Sequence, residues 1–415
     1  MNNYSLIGPF KQLLTMSGLP LKGALQDHQL PLIQDAGVLT EDGKIYAVGP
    51  FSDLQIEARD LNARILPIEE DMVCFPGFID AHTHICFGGS RANDYALRNA
   101  GKTYLEIAQT GGGIWDTVTQ TRKSNSAQLV RGIKERANRH LQQGVTTIEV
   151  KSGYGLSVEE ELKMLIAIST ANKALAADLI PTCLAAHMVP KDYVGSPEEY
   201  LTEISTTLFP ILKKENLAHR MDAFIEEGAY SPSTIAPYFK KAQEMGFDIT
   251  VHADQFSTGG SAVAVEFGAV SADHLEASTD AEIKLLANSN VIATALPGAS
   301  MGLGCNYTPA RKFLDAGASV AIASDWNPGS APMGNLLLQA AVLGTFEKLT
   351  NAEVLSGITF RAAAALGLKD RGKIESGFLA DMVAFPTQDY KEVLYHQGML
   401  QPSMVWKNGK QILAQ

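Results

Sequence analysis

The stretch Gly77-Phe78-Ile79-Asp80-Ala81-His82-Thr83-His84 runs from a short apolar segment into a pair of histidines. An apolar run of this length, bounded by a glycine, is typical of a buried strand. His82 and His84 stand two residues apart, so on an extended backbone their side chains point to the same side. Two imidazoles placed in this way can bind one metal ion. The stretch therefore predicts a buried strand that ends in metal ligands.

Seven further apolar runs follow, separated by stretches with helical spacing such as 158–175 and 282–287. The runs are 145–150, 179–184, 221–225, 248–251, 270–273, 291–294 and 319–323. Strands that alternate with helices imply parallel strands joined by right-handed crossovers. Eight such units fit the (β/α)8 architecture. The sequence therefore predicts an α/β fold with a TIM-like (β/α)8 barrel as the catalytic domain, over residues 73–370.

Both ends of the chain have the pattern of short strands separated by turns. Asp42-Gly43 lies between the apolar runs 36–39 and 44–48, and Asn408-Gly409 follows the run 404–407. These dipeptides are hairpin signals when they follow or separate apolar runs. The pattern predicts one small β-sandwich domain that is built from residues 1–72 and 371–415.

Polar side chains follow nearly every predicted barrel strand. Because the carboxyl ends of barrel strands meet at one face, residues far apart in the sequence converge there. Three imidazoles and one carboxylate, with room for water, suit zinc, iron or manganese at an open catalytic position. Taken alone, His252 is compatible with a buried core histidine and Asp325 with a helix cap. The combination favours a metal site whose ligands are His82, His84, His252 and Asp325.

A metal site of this kind implies hydrolytic chemistry. The ion lowers the pKa of water towards neutrality and so supplies a nucleophile. Asp325 can take a proton from that water and pass it to a leaving nitrogen. His274, which follows the sixth strand, can stabilise a developing oxyanion or orient the water. A hydrogen-bonded structural histidine is the alternative reading of His274.

Composition excludes several classes of protein. Hydrophobic residues make up 46% of the chain and charged residues 19%, which is ordinary for a globular protein and argues against disorder. A formal net charge of −11 disfavours binding to a phosphate backbone. Four scattered cysteines without a CxxC pair are typical of reduced thiols. We find no signal peptide and no apolar run near the length of a membrane span, and we expect a cytoplasmic protein without membrane or nucleic-acid partners.

Two motifs resemble the metal-dependent amidohydrolase superfamily. The run Phe75-Pro76-Gly77-Phe78-Ile79-Asp80-Ala81-His82-Thr83-His84 is similar to its opening, and Gly372-Lys373-Ile374-Glu375-Ser376-Gly377 to its return into a small β domain. Three more motifs resemble the imidazolonepropionase family. They are Phe87-Gly88-Gly89-Ser90-Arg91, Thr110-Gly111-Gly112-Gly113-Ile114 with Thr121-Arg122, and Glu149-Val150-Lys151-Ser152-Gly153-Tyr154-Gly155-Leu156. The resemblance runs nearly from end to end.

The resemblance implies a hydrolase that acts on the C–N bond of a cyclic amide. Its substrate would be 4-imidazolone-5-propanoate and its product N-formimidoyl-L-glutamate, in histidine degradation. Arg91 would hold the substrate carboxylate through a bidentate pair. His187 would contact the ring carbonyl or the water, as a third catalytic candidate. The other implied substrate contacts are Tyr154, Gln255, Asn327, Gly329 and Ser330.

Each implied contact has a plainer alternative. Arg91 could be a solvated surface arginine, Tyr154 a packed core tyrosine, His187 a structural histidine and Gln255 a solvated loop residue. The sequence also departs from the family at three positions. Gln255 stands where some relatives carry an acid, Ser330 where threonine is expected, and Asp94 where glutamate is more usual.

The resemblance also bears on the number of metal ions. Relatives with two metals use a bridging lysine after the fourth strand, where this chain has Ile225-Glu226-Glu227-Gly228. We therefore predict one divalent ion, zinc or iron. The segment Gly111-Gly112-Gly113 lacks the GK[ST] of a nucleotide loop. It is compatible with a lid near the pocket or with an ordinary turn.

Two other functions remain open from the sequence. Deamination of a nucleobase is possible within the same superfamily, but a nucleobase has no carboxylate for Arg91. A non-catalytic barrel scaffold would be expected to lack the metal ligands, and all four are present. For an enzyme of this architecture with a small-molecule substrate, we expect a homodimer.

Overall fold

The computed structural model describes residues 3–102, 106–107 and 111–414. Two sheets organise these residues. Eight parallel strands form a barrel, and eight strands from both ends of the chain form a separate mixed sheet. The predicted fold class is confirmed. Within the described ranges, no helix is long and apolar enough to cross a membrane.

The barrel strands follow one another in chain order, each paired in parallel with the next. The first and last strands meet just beyond their carboxyl ends, where Thr83 and Trp326 form a parallel bridge. This closure also places Asp325 beside His82, whose carbonyl oxygen accepts from the Asp325 amide at 3.0 Å. All eight predicted strands are present. They are β6 (Phe78–Asp80), β7 (Val145–Lys151), β8 (Asp178–Ala186), β9 (Arg220–Ile225), β10 (Asp248–Ala253), β11 (Ser271–His274), β12 (Ile292–Ala295) and β13 (Val320–Ile322).

Helices connect these strands, and several begin at a capping side chain. Ser157 Oγ accepts from the Glu160 amide, and Asn125 Oδ1 accepts from the Gln128 amide, which satisfies amides that a helix start leaves unpaired. Helices occur where helical spacing predicted them, at 158–175 and 282–287. The helices among the described residues are Phe51–Asp60, Ala92–Asn99, Ile114–Lys123, Ser126–Gln142, Val158–Asn172, Pro197–Glu203, Phe209–Glu215, Pro232–Glu244, Gly260–Glu266, Asp280–Ala287, Pro297–Leu303, Ala310–Asp315, Leu336–Glu347, Asn351–Gly357, Phe360–Ala365 and Lys391–Tyr395, with a 3-10 turn at Asp27–Gln29 and a π turn at Ile204–Leu208.

The terminal sheet contains both predicted hairpins. Asp42 and Gly43 have φ of 47° and 87°, and Asn408 and Gly409 have 49° and 69°, which are the left-handed conformations of a tight hairpin turn. The strands of the sheet are β1 (Tyr4–Leu14), β2 (Leu32–Glu41), β3 (Lys44–Pro50), β4 (Arg64–Pro67), β5 (Val73–Pro76), β14 (Met382–Phe385), β15 (Met404–Lys407) and β16 (Lys410–Ala414). They have the order β16-β15-β14-β5-β1-β2-β3, with β4 paired to β1.

The terminal sheet curls over a core of its own. The rings of Phe10 on β1 and Trp406 on β15 pack edge to face with their centroids 5.8 Å apart. In a flat sheet, strands that are three positions apart would be separated by about 14 Å, so the sheet must be strongly curved. The opposite face packs on the barrel, where Phe75, Phe78 and Phe385 have ring centroids 6.0–6.1 Å apart. The two domains therefore share a continuous apolar interface.

The chain enters the barrel directly from the terminal sheet. Strand β5 pairs with β1 and β14, and Gly77 alone separates it from β6. A Cβ at Gly77 would lie 2.3 Å from Thr146 Oγ1, so only glycine fits this junction. The domain limits at 72/73 and 370/371 stay a prediction, and 73–76 pairs with the terminal sheet.

Candidate active site and metal centre

One pocket at the carboxyl ends of the barrel strands collects the predicted site residues. Its volume is about 860 Å³. Every predicted site residue except His82 lines it, and His82 lies beside the pocket in contact with His84. The lining residues from the prediction are His84, Arg91, Tyr154, His187, His252, Gln255, His274, Asp325, Asn327, Gly329 and Ser330.

Three histidines converge on one point. His84 Nε2 lies 3.2 Å from His82 Nε2 and 3.3 Å from His252 Nε2. Nitrogens bound to one tetrahedral zinc ion at about 2.0–2.1 Å stand about 3.4 Å apart. All three rings are buried, and burial lowers the pKa of each well below the usual value of histidine. The rings are therefore neutral, as metal ligands must be.

Buried carboxylates lie against two of these rings. His82 Nδ1 donates to Asp273 Oδ2 at 2.7 Å, and His252 Nδ1 lies 2.9 Å from Asp222 Oδ2. A carboxylate partner holds the proton on Nδ1 and leaves the Nε2 lone pair facing inward. Lone pairs so close together repel one another unless a cation lies between them. The residues present thus fit a metal ion.

A buried lysine balances the orienting carboxylates. Lys151 Nζ lies 2.9 Å from Asp222 Oδ2, 3.7 Å from Asp273 Oδ2 and 2.8 Å from Glu149 Oε2. Burial lowers the pKa of Lys151, but the three carboxylates outweigh that effect and raise it. A charged lysine therefore offsets part of the negative charge beside two of the histidines.

Asp325 completes the cluster from the last strand end. Its Oδ1 lies 3.5 Å from His82 Nε2 and 3.4 Å from His84 Nε2. The backbone φ of Asp325 is 48°. Residues other than glycine rarely adopt this left-handed conformation, and it is often found at functional sites. Burial raises the pKa of Asp325 to about 6. Such a carboxylate can bind a cation and can also carry a proton near neutral pH.

His187 and His274 offer opposite hydrogen-bonding properties to the pocket. His187 Nδ1 lies 2.9 Å from the carbonyl oxygen of Gly153, so it must be the donor there, and burial lowers the pKa of His187 to about 4. Its Nε2 is then an acceptor, suited to water or a ring N–H. A neutral His187 in this tautomer cannot donate to a ring carbonyl, one of the two contacts that the resemblance implied.

His274 is the better donor. Its Nδ1 lies 3.5 Å from Glu276 Oε2. Burial opposes protonation, but Glu276, Asp325 and Asp273 outweigh it and raise the pKa of His274. These carboxylates favour the protonated imidazole, which can donate to an oxygen on which negative charge develops.

Arg91 is fixed at the pocket by a carboxylate in the first turn of the helix Ala92–Asn99. Its Nε donates to Asp94 Oδ2 at 2.8 Å, and the same oxygen accepts from the Gly113 amide at 2.9 Å. A Cβ at Gly329 would lie 2.3 Å from Arg91 Nη1, so the guanidinium lies directly against the Gly329 backbone. Asp94 thus ties Arg91 to the glycine segment 111–113. Thr110 of the same motif lies outside the described residues.

Other predicted contacts surround these groups. Asn327 Nδ2 donates to the Asp325 carbonyl at 2.7 Å, while its Oδ1 accepts from the amides of Gly329 and Ser330. Ser330 Oγ lies 3.4 Å from Asp325 Oδ2. Tyr154 is buried with its ring 5.4 Å from that of His187, and Gln255 is half-buried at the pocket wall.

Sequence reasoning missed the supporting charges. Asp222, Asp273 and Glu149 lie within barrel strands rather than after them, and all are buried. A charge within a strand that is predicted to be buried is the signal that could have found them, because a fully buried charge needs a partner. Their partners are not visible in the sequence, since Asp273 and His82 are 191 residues apart.

The comparisons with known proteins show the family. The amidohydrolase family model matches residues 73–412. Imidazolonepropionase of Bacillus cytotoxicus is 41% identical over 404 residues, covering 96% of this chain and 94% of that protein. Imidazolonepropionase of Bacillus mycoides is also 41% identical, over 405 residues, with the same shares of each chain.

Solved structures match the fold. A triazine hydrolase variant superimposes with a TM-score of 0.74 at 16% identity, covering 99% of this chain and 95% of that one. An adenosine deaminase from Xanthomonas campestris with bound zinc superimposes with a TM-score of 0.70 at 20% identity, covering 99% and 93%. At these identities, the likeness supports the architecture alone.

Proposed function

The chain belongs to the amidohydrolase family, and we propose that it hydrolyses the cyclic amide of 4-imidazolone-5-propanoate to N-formimidoyl-L-glutamate, a step of histidine degradation. Its relatives named imidazolonepropionase match 96% of the chain. The observation that carries the proposal is one pocket with three converging imidazole nitrogens and an arginine. The substrate has the two matching groups, a ring amide and a carboxylate.

The reaction adds water to the ring carbonyl carbon and breaks its bond to the ring nitrogen. A divalent ion held by His82, His84, His252 and Asp325 supplies Lewis acidity towards water and a carbonyl oxygen. Asp325 takes a proton from the attacking water and returns it to the leaving nitrogen. His274 donates to the carbonyl oxygen as negative charge develops there. His187 Nε2 accepts from the water or from a ring N–H.

The remaining pocket residues bind and orient the substrate. Arg91, held by Asp94, pairs with the propanoate carboxylate. Tyr154 and Gln255 contact the ring or the carboxylate, and Asn327, Gly329 and Ser330 line the pocket beside Asp325. In nucleobase deamination, Arg91 would have no anionic group of the substrate to bind.

We propose one metal ion, zinc or iron. A second ion would need a ligand after β9, where Glu226 stands, but both carboxylate oxygens of Glu226 already accept hydrogen bonds. Oε2 accepts from the Phe256 and Ser257 amides at 2.9 and 3.2 Å, and Oε1 accepts from Ser257 Oγ. Lys151 is occupied by its three carboxylates. Elemental analysis of the purified protein tests this number, and a metal to protein ratio of two would contradict it.

We also propose that the protein is a cytoplasmic homodimer. Sedimentation tests whether it is a dimer.

The direct test follows the disappearance of 4-imidazolone-5-propanoate by its ultraviolet absorbance, with and without chelation of the metal. We expect rapid loss that stops after chelation and returns on adding zinc or iron. Circular dichroism should show that the chelated protein stays folded. No loss with the metal-loaded protein would refute this substrate and direct the search to other cyclic amides and to nucleobases.

A further inference from the structure

The loop 152–156 joins strand β7 to the helix Val158–Asn172 and carries two groups of the proposed site. Tyr154 lines the pocket. The carbonyl oxygen of Gly153 holds Nδ1 of His187 at 2.9 Å, which fixes the tautomer of that ring. The position of this loop therefore sets both the tyrosine hydroxyl and the acceptor nitrogen of the histidine.

The amides of this loop converge on one carboxylate. Glu161 Oε1 accepts from the amides of Gly155 and Leu156, each at 2.8 Å, and Oε2 accepts from the Gly153 amide at 3.0 Å. Glu161 is fully buried in the first turns of the helix that follows the loop. Charge-assisted hydrogen bonds to buried amides are stronger than neutral ones. One side chain thus binds most of the loop backbone from the inside.

The loop needs such support, since its backbone is not in a relaxed conformation. Gly153 has φ of 101° and Leu156 has φ of 54°, and the latter is costly for a residue with a side chain. On the outer side, Arg122 Nε donates to the Gly155 carbonyl and Nη2 to the Leu156 carbonyl, at 2.6 and 3.1 Å. Carbonyls and amides of the same loop are therefore held from opposite sides.

We propose that Glu161 is a positioning residue for catalysis, which acts through the loop 152–156 on Tyr154 and His187. The inference rests on the proposed function for its kinetic readout. Glu161 itself contacts neither the metal ligands nor the pocket. Glutamine at this position keeps the shape of the side chain, but it turns an N–H group towards a backbone donor.

Two measurements test the proposal with Glu161→Gln and the matched variant Glu159→Gln, which changes an exposed glutamate in the same first turn. The first is the imidazole NMR spectrum of the substrate-free protein, with the His187 Nδ1–H signal assigned by its loss in His187→Ala. We expect that signal to shift or exchange faster in Glu161→Gln and to stay in place in Glu159→Gln. An unchanged signal in Glu161→Gln would overturn the proposal.

The second measurement is kinetic. We expect Glu161→Gln to lower kcat/KM between about tenfold and 100-fold with full metal content, and Glu159→Gln to leave it unchanged. In the double variant Glu161→Gln Tyr154→Phe, the fold-loss in kcat/KM should be smaller than the product of the two single fold-losses by about threefold or more, because both changes act through the same loop. Losses that multiply would show that Glu161 acts independently of the loop.

Two further arms keep the outcomes separate. If Glu161→Gln does not fold, Glu161→Asp retains the charge but withdraws the oxygens from the amides, and the same two readouts apply. If the unaltered protein does not hydrolyse imidazolonepropanoate, the proposed function fails, and the NMR measurement still decides the role of Glu161.

Discussion

The metal-facing part of the site is carried by barrel strands, whereas the substrate-facing part is carried by loops. His82 follows strand β6 and His252 lies near the end of β10, and buried carboxylates on other barrel strands lie against them. Arg91 and Asn327 lie on loops, where Asp94 and backbone amides hold them. The first arrangement is a network of fully buried charges inside the barrel, and the second is one ion pair and a set of backbone hydrogen bonds at the pocket wall.

This difference separates stability from specificity. Removing a charge from the strand-borne part leaves its partners buried and unpaired, which costs free energy of unfolding as well as metal affinity. Changing the loop-borne part should alter substrate binding while the fold and the metal content persist. The predictions below test that separation.

The largest effect is expected for Lys151→Met. The change leaves Glu149, Asp222 and Asp273 without their shared cation, and it should lower the free energy of unfolding by about 3–5 kcal/mol. Metal affinity should fall between about tenfold and 100-fold, because the orienting carboxylates shift. Urea denaturation and metal titration measure the two effects. The same change at the exposed Lys240 is the control, and equal results for both lysines would contradict the strand-borne network.

Arg91→Ala should affect the substrate alone. We expect kcat/KM for imidazolonepropanoate to fall on the order of 100-fold, with a folded protein and a metal content close to that of the unaltered protein. An imidazolone whose carboxylate is replaced by a neutral amide serves as the control substrate. A loss of the same size with that analogue would mean that Arg91 does not bind the carboxylate.

A smaller effect is expected for Gly329→Ala. The added Cβ would lie 2.3 Å from Arg91 Nη1, so the guanidinium must move from its position. We expect KM to rise about three- to tenfold with little change in kcat, since ground state and transition state lose the same contact. Gly49→Ala in strand β3 meets open space and should leave KM unaltered. A drop in kcat at unchanged KM would place Gly329 in the chemical step instead.

The barrel could be predicted because its strands are short, mainly apolar runs that alternate with helical stretches, a pattern that depends on neighbours in sequence. The strand Val73–Pro76 shows the limit of that reasoning. It is as apolar as a barrel strand, yet it pairs with β14 from the far end of the chain. Pairing between strands distant in sequence leaves no local pattern.

The metal ligands and His274 could be found because they stand at strand ends or soon after them, where a barrel places its chemistry. The other substrate contacts came from the family resemblance: Arg91, Tyr154, Gln255, Asn327, Gly329 and Ser330. The structure brings them into one pocket, while their roles stay predictions. The tautomer of His187 could not be predicted, because it depends on a hydrogen bond to the backbone carbonyl of Gly153. Every residue has such a carbonyl, so the sequence does not show which one is the partner. Glu161 was equally hidden, since a glutamate in the first turn of a helix is ordinarily explained by the helix dipole.

The pairing of β5 with β14 has a consequence for biosynthesis. Strand β5 leaves the ribosome hundreds of residues before Met382–Phe385, the strand that covers one of its edges. Until then Val73 and Phe75, which are fully buried in the finished protein, belong to a sheet with an open edge, and open apolar edges favour aggregation. We therefore expect the nascent chain to depend on chaperones until its last strands emerge, even though the barrel strands follow one another in order.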